Sequence, residues 1–192
     1  ETVIREAEAA KPEFDLMRYR GADLTFENEI DIDLGNRMVR LMHLGRGNTG
    51  GDLVAFVPDA HVLIAGDTLV NPIPFMFGSY LSEWADVLKK MAEFDASTIV
   101  PGHGPVMHDK VYLNDVRQLL QDVVAEVRRV WKPGMTGDDV RKAMDLSKQR
   151  DKFCRGDKVM EATFKGSVET AGVDRVVQEL EGKMKPEAFD EP

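Results

Sequence analysis

Three segments, Gly45-Arg46-Gly47-Asn48-Thr49-Gly50-Gly51-Asp52, Leu63-Ile64-Ala65-Gly66-Asp67 and Ile99-Val100-Pro101-Gly102-His103-Gly104, lie in order within residues 41–105, and their reading decides the fold. Each joins a polar loop to a short apolar run. Val62-Leu63-Ile64-Ala65 is long enough for a buried strand and is expected to stop at Gly66-Asp67, so that a carboxylate is presented from its C-terminal end. Ser97-Thr98-Ile99-Val100 is β-branched and runs into Pro101-Gly102-His103-Gly104-Pro105, where prolines and glycines fix an unusual path around one imidazole. Asp52 to Val57 reads as a third strand, entered from a glycine-rich loop that allows backbone to approach a ligand closely.

This succession resembles the second half of the metallo-β-lactamase superfamily, in both the order and the spacing of its motifs, over roughly residues 20 to 110. The resemblance implies an α/β (α+β) architecture, half of an αββα sandwich, with one or two zinc ions at an edge of the paired sheets; iron and manganese are the alternatives. Carried over residue by residue, Asp67 matches the carboxylate that bridges two metals and His103 the late imidazole of the second metal. Asn48 stands where most members have a histidine. It is expected to act as a weak amide ligand or as a hydrogen-bond donor to an oxyanion, so Asp67 and Asn48 are the candidate catalytic residues, and Asp67, His103 and Asn48 the candidate metal ligands. Amide oxygens suit hard cations better than zinc.

The family's H-x-H-x-D-H motif does not occur in this sequence. The four histidines are His43, His61, His103 and His108, and no two have its spacing. Because a catalytic zinc takes three protein ligands and a water, this chain alone is expected to be inactive. It reads as the part of a larger zinc-dependent hydrolase that lacks the main histidine cluster, acting through metal-activated water on a carbonyl or phosphoryl centre of a small-molecule substrate. The alternative is a non-catalytic module of the same fold that binds a ligand or partner. Half a sandwich exposes the inner face of its sheet, so pairing with an N-terminal half chain or with a second copy is expected.

Around this centre, residues 1–20 read as the remnant of an upstream helix, broken by Pro12. Residues 21–110 carry the half-sandwich, with a β meander in which Leu24, Phe26, Ile30 and Ile32 alternate with polar residues and Arg37 to Met42 returns after Gly35-Asn36. A helix over residues 79–94, starting near Ser82-Glu83, presents Trp84, Val87, Leu88 and Met91 on one face. Ahead of it, Asn71 to Gly78 is an apolar, proline-stiffened loop expected to wall the metal site. Residues 111–185 form a helical extension: an aliphatic stripe from Leu113 to Val130, a capping box at Thr136 and Asp139 for a short helix through Leu146, and one or two helices over residues 159–183. Residues 186–192 read as a frayed tail.

The 192 residues carry a formal net charge of -9, which argues against a nucleic-acid backbone as partner. No apolar run reaches the length of a membrane span, and no signal peptide is expected within these residues. The chain opens at Glu1 and not at a methionine, from which an upstream segment is expected; proteins resembling this one are often periplasmic or secreted. The single cysteine, Cys154, excludes an internal disulfide. It is read as structural, as are His43 and His61, and His108 as a surface residue.

Overall fold

The computed structural model of the chain describes residues 2–18 and 20–184, so the expected tail at 186–192 lies outside the described residues. Five strands form one sheet in the order β1 (Glu29–Asp33), β2 (Met38–Met42), β3 (Val54–Val57), β4 (Val62–Val70) and β5 (Thr98–His103). The first four are antiparallel neighbours, and β5 adds parallel to β4 after a helical crossover. Such a crossover is required because parallel neighbours cannot be joined by a tight turn. The crossover is α2 (Leu81–Glu93), which buries Leu81, Trp84, Ala85, Val87, Leu88 and Met91. This is the spacing of one helical face, and it lies over the sheet face that carries Leu63 and Phe56; Phe56 meets Phe94 with ring centroids 5.1 Å apart.

Behind α2 packs α3 (Val111–Val130), whose buried residues Leu113, Val116, Leu120, Val123, Val124 and Val127 follow the predicted stripe. Four shorter helices complete the extension: α4 (Gly137–Ala143), α5 (Ser147–Cys154), α6 (Lys158–Phe164) and α7 (Val173–Glu181). The last two are joined without a break by a π-helical segment, Lys165–Gly172. The capping box forms as expected: the Thr136 hydroxyl accepts from the Asp139 amide, and the Asp139 carboxylate accepts from the Thr136 amide. None of the described helices is long and apolar enough to cross a membrane.

Several expectations need correction. Helix α1 (Thr2–Leu16) runs through Pro12 instead of breaking there; the proline deletes one intrahelical donor, and the helix continues past it for another turn. Its side chains Ile4, Phe14 and Leu16 are exposed. The meander's first strand begins only at Glu29, and Leu24 is left exposed. Ser82 does not cap α2, whose N-cap is Tyr80 with no side-chain bond; its hydroxyl turns instead to the Glu179 carboxylate of α7 at 2.5 Å. The segment from Ser147 to Cys154, which shows no apolar stripe, is helical.

Opposite the helices, one row of paired residues crosses all five strands: Ile30, Leu41, Ala55, Ile64 and Val100. All five are apolar. Ile64, on the interior strand β4, is 41% exposed, whereas its neighbour Leu63, pointing to the helices, is fully buried. The sheet therefore has one covered and one open apolar face. That differs from a half-solvated antiparallel sheet, whose outer face is polar.

Candidate metal-site edge

Asp67 and His103 come together where β4 and β5 run side by side. The Asp67 Oδ1 to His103 Nε2 separation is 3.6 Å, with the two side chains 47% and 58% exposed. The route to this placement differs from the predicted one. Strand β4 does not stop at Gly66-Asp67: it bulges there, with register shifts on either side of Gly66, and runs on to Val70. Gly66 takes φ 52, the left-handed region that glycine enters without steric cost. A bulge of this kind re-aims a side chain without ending the strand. Asp67 is thereby turned outward between buried Ala65 and buried Thr68.

Strand β5 likewise continues through Pro101-Gly102-His103. An added Cβ at Gly102 would lie 2.0 Å from Asp67 Oδ1 and 2.8 Å from the Asp67 amide nitrogen, so the absence of a side chain at 102 is what admits the carboxylate. His103 is held from below, its carbonyl accepting from the Asn71 amide at 3.1 Å. The Tyr112 hydroxyl donates to the Val70 carbonyl at 2.7 Å, and burial pushes that phenol above its ordinary pKa. The apolar loop lies where the sequence suggested: Phe75 meets the His103 ring edge-on at 5.8 Å, with Phe77 beside Phe75 at 6.5 Å. Phe77 is 65% exposed, so the site has an aromatic wall facing solvent.

Asn48 sits half-buried in the loop between β2 and β3. Asp52 organises that loop: its carboxylate accepts from the Thr49 amide at 3.1 Å and from the Thr49 hydroxyl at 2.5 Å. Gly47 packs so tightly that an added Cβ would lie 3.2 Å from both Thr68 and Trp84. The loop thus abuts the residue next to Asp67, while Asn48 itself bonds to neither Asp67 nor His103. His43 is tied by Nδ1 to the Asp52 carbonyl at 2.9 Å. His61, at φ 51, is tied by Nδ1 to the Asp95 carbonyl at 3.0 Å. Both serve the fold. His108 is exposed. Cys154 is buried, and desolvation raises its thiol pKa, the opposite of an activated nucleophile.

Two donors 3.6 Å apart suit one edge of a zinc coordination sphere, since ligands at about 2.0–2.2 Å in tetrahedral array lie roughly 3.3–3.6 Å from each other. A third is needed. Among the described residues no group of three His, Cys, Asp or Glu side chains comes together to hold a metal. Asp67 and His103 alone therefore do not make up such a coordination sphere within the described residues.

The sequence profile of the Metallo-beta-lactamase superfamily matches residues 2–103. A linear primary-alkylsulfatase from Pseudomonas sp. (strain ATCC 19151) is 23% identical over 133 residues, an overlap of 64% of this chain and 25% of that protein. In three dimensions the chain is similar to the stereoselective inverting sec-alkylsulfatase Pisa1 from Pseudomonas sp., with TM-score 0.60 and 12% identity over 81% of this chain and 26% of that one. A metallo-beta-lactamase from Pontibacter korlensis aligns with TM-score 0.49 and 21% identity over 60% of this chain and 54% of that one.

Proposed function

The chain belongs to the metallo-beta-lactamase superfamily, and from that premise we propose that it is the half of a metal-dependent hydrolase that contributes Asp67 and His103 to a shared metal centre. The observation that carries this reading is the meeting of Asp67 Oδ1 and His103 Nε2 at 3.6 Å on an open edge, arranged by a bulge at Gly66 and a side-chain-free Gly102. The remaining donors come from a second sheet, belonging to an N-terminal half chain or to another copy, that packs on the open face around Ile64. When bound, zinc supplies a water whose pKa is lowered toward neutrality. Asp67 contributes a negative charge and an oxygen donor, and His103 a nitrogen donor whose ring is steadied by Phe75. Asn48 offers an amide to a developing oxyanion.

The substrate is an ester with an apolar tail. Phe75, against His103, and Phe77, against Phe75, present exposed aromatic surface, which suits an alkyl or aryl group. The distant sequence relationship to a linear primary-alkylsulfatase favours a sulfate ester.

Zinc titration of the purified chain, followed by NMR, tests the assignment. The His103 ring resonances are expected to shift, and His103→Ala or Asp67→Ala is expected to abolish the response. Zinc responses that are confined to His43, His61 or His108, or that persist in both variants, would overturn it.

A further inference from the structure

The loop that walls the site is gripped from the far side by the C-terminal helices. Met76, one residue beyond Phe75, is fully buried. Its amide donates to Ser167 Oγ at 3.0 Å, and the same hydroxyl donates to the Pro74 carbonyl at 2.6 Å. Ser167 is itself 2% exposed. Five residues on, Gly172 faces the Met76 side chain so closely that an added Cβ would lie 2.7 Å from its sulfur. Residues i and i+5 do not share a face in an α-helix, where they are about 140° apart, but they do where the helix closes i→i+5 bonds. The π-helical segment Lys165–Gly172 therefore brings Ser167 and Gly172 onto one side, with Met76 between them.

Arg175, the first turn of α7, extends the grip. It is 9% exposed, and its guanidinium donates to the Ser79 and Gly78 carbonyls, both at 2.8 Å, and to Gln178 Oε1 at 3.3 Å. No carboxylate pairs with it among these contacts. Its charge is met by carbonyl dipoles and by the Tyr80 ring, 5.3 Å from its centre. Arg46 lies over the same ring at 4.3 Å, and the Tyr80 amide donates to the Gly47 carbonyl at 2.9 Å. Through Tyr80 the grip reaches the loop that carries Asn48. A planar guanidinium suits this task because its fixed fork bonds two successive carbonyls at once.

We propose that Ser167 and Arg175 are positioning residues: the π-helical segment and α7 set the course of residues 74–80, and with it the placement of Phe75 against His103 and of the Gly47-Asn48 turn. The proposal concerns the loop's geometry and stands whether or not the metal reading holds. On this view the helical extension is a working part of the site and not an accessory domain.

Amide hydrogen exchange on the 192-residue chain tests it. In Ser167→Ala the Met76 amide loses its acceptor and is expected to exchange at least tenfold faster. In Arg175→Met exchange is expected to rise across residues 78–80, with Arg175→Lys partly restoring protection. Core amides of Leu88 and Val123 are expected to keep their wild-type rates, which a global loss of stability would not allow. Chymotrypsin is expected to cut faster after Phe75 and Phe77 in the same variants. Unchanged exchange at Met76 and residues 78–80, or equal acceleration at Leu88 and Val123, overturns the proposal. Should Ser167→Ala not fold, Gly172→Ala serves: its methyl displaces Met76, and the same local pattern is expected.

Discussion

Replacing Gly102 with alanine tests directly whether the Asp67–His103 edge depends on a missing side chain. The added Cβ would stand 2.0 Å from Asp67 Oδ1, 2.7 Å from the Gly66 carbonyl carbon and 2.8 Å from the Asp67 amide nitrogen. The first clash is with the far end of a side chain, and rotation of the carboxylate relieves it at the expense of the 3.6 Å approach to His103. The other two are with β4 backbone. They are relieved only by separating β4 from β5, the parallel pair at one edge of the sheet. Overpacking of this kind costs about 1–3 kcal/mol. In a chain of this length, each kcal/mol moves the melting midpoint by roughly 2–4 °C. A loss of about 2–12 °C in Tm is thus expected, together with a weakened zinc response at His103. Gly51→Ala is the control, since its added Cβ meets nothing within 4 Å. Equal melting of Gly102→Ala and Gly51→Ala would refute the reasoning, because the close approach would then not be a constraint the fold must meet.

Two further outcomes follow from the open sheet face and from the capping box. The wild-type chain, of 21.5 kDa, is expected to elute from a sizing column above its monomer mass, and Ile64→Lys to elute as a monomer with its own stability changed by no more than about 0.5 kcal/mol, as for exposed positions generally; a monodisperse wild-type monomer would refute pairing with a second copy. The Asp139 carboxyl is held below its ordinary pKa of 3.8, chiefly by its hydrogen bond with the Thr136 side chain. A carboxylate with a depressed folded-state value contributes stability that is fully present above 3.8 and is lost as the pH falls through the folded value. Urea melts below about pH 4 are therefore expected to show a smaller acid-induced loss in Asp139→Asn than in wild type, and parallel losses would count against the cap's charge.

The sequence made the central pair legible because both residues sit in short runs whose punctuation is chemical: Gly66-Asp67 after an apolar strand, and His103 between two glycines. It misplaced the ends of those strands for an equally physical reason. Glycine marks a bulge as readily as a terminus, and local pattern does not distinguish a strand that stops at Gly66 from one that kinks there and continues to Val70. The stripe of α3 and the Thr136 box were readable because helical period and capping are local properties. The roles of Ser167 and Arg175 were not, since a serine and an arginine within a helix carry no periodic signal. Their partners, Met76, Gly78 and Ser79, lie more than 90 residues away. The π-helical register that aligns Ser167 with Gly172 is likewise invisible to a 3.6-residue pattern.

The open face and the incomplete metal edge share strand β4. Ile64 is the exposed member of the apolar row, and Asp67, three residues on in the same strand, is turned outward by the Gly66 bulge. On the proposed reading, a sheet that covers Ile64 therefore delivers its own loops to the edge where Asp67 and His103 wait, so that one interface closes the core and completes the ligand set. The two events are then thermodynamically linked: zinc favours the paired state, and pairing raises zinc affinity by the same factor. Ile64→Lys, which touches neither ligand, is accordingly expected to weaken zinc binding in the assembled protein. If affinity in the assembly proves indifferent to that substitution, the second sheet is not the source of the missing donors.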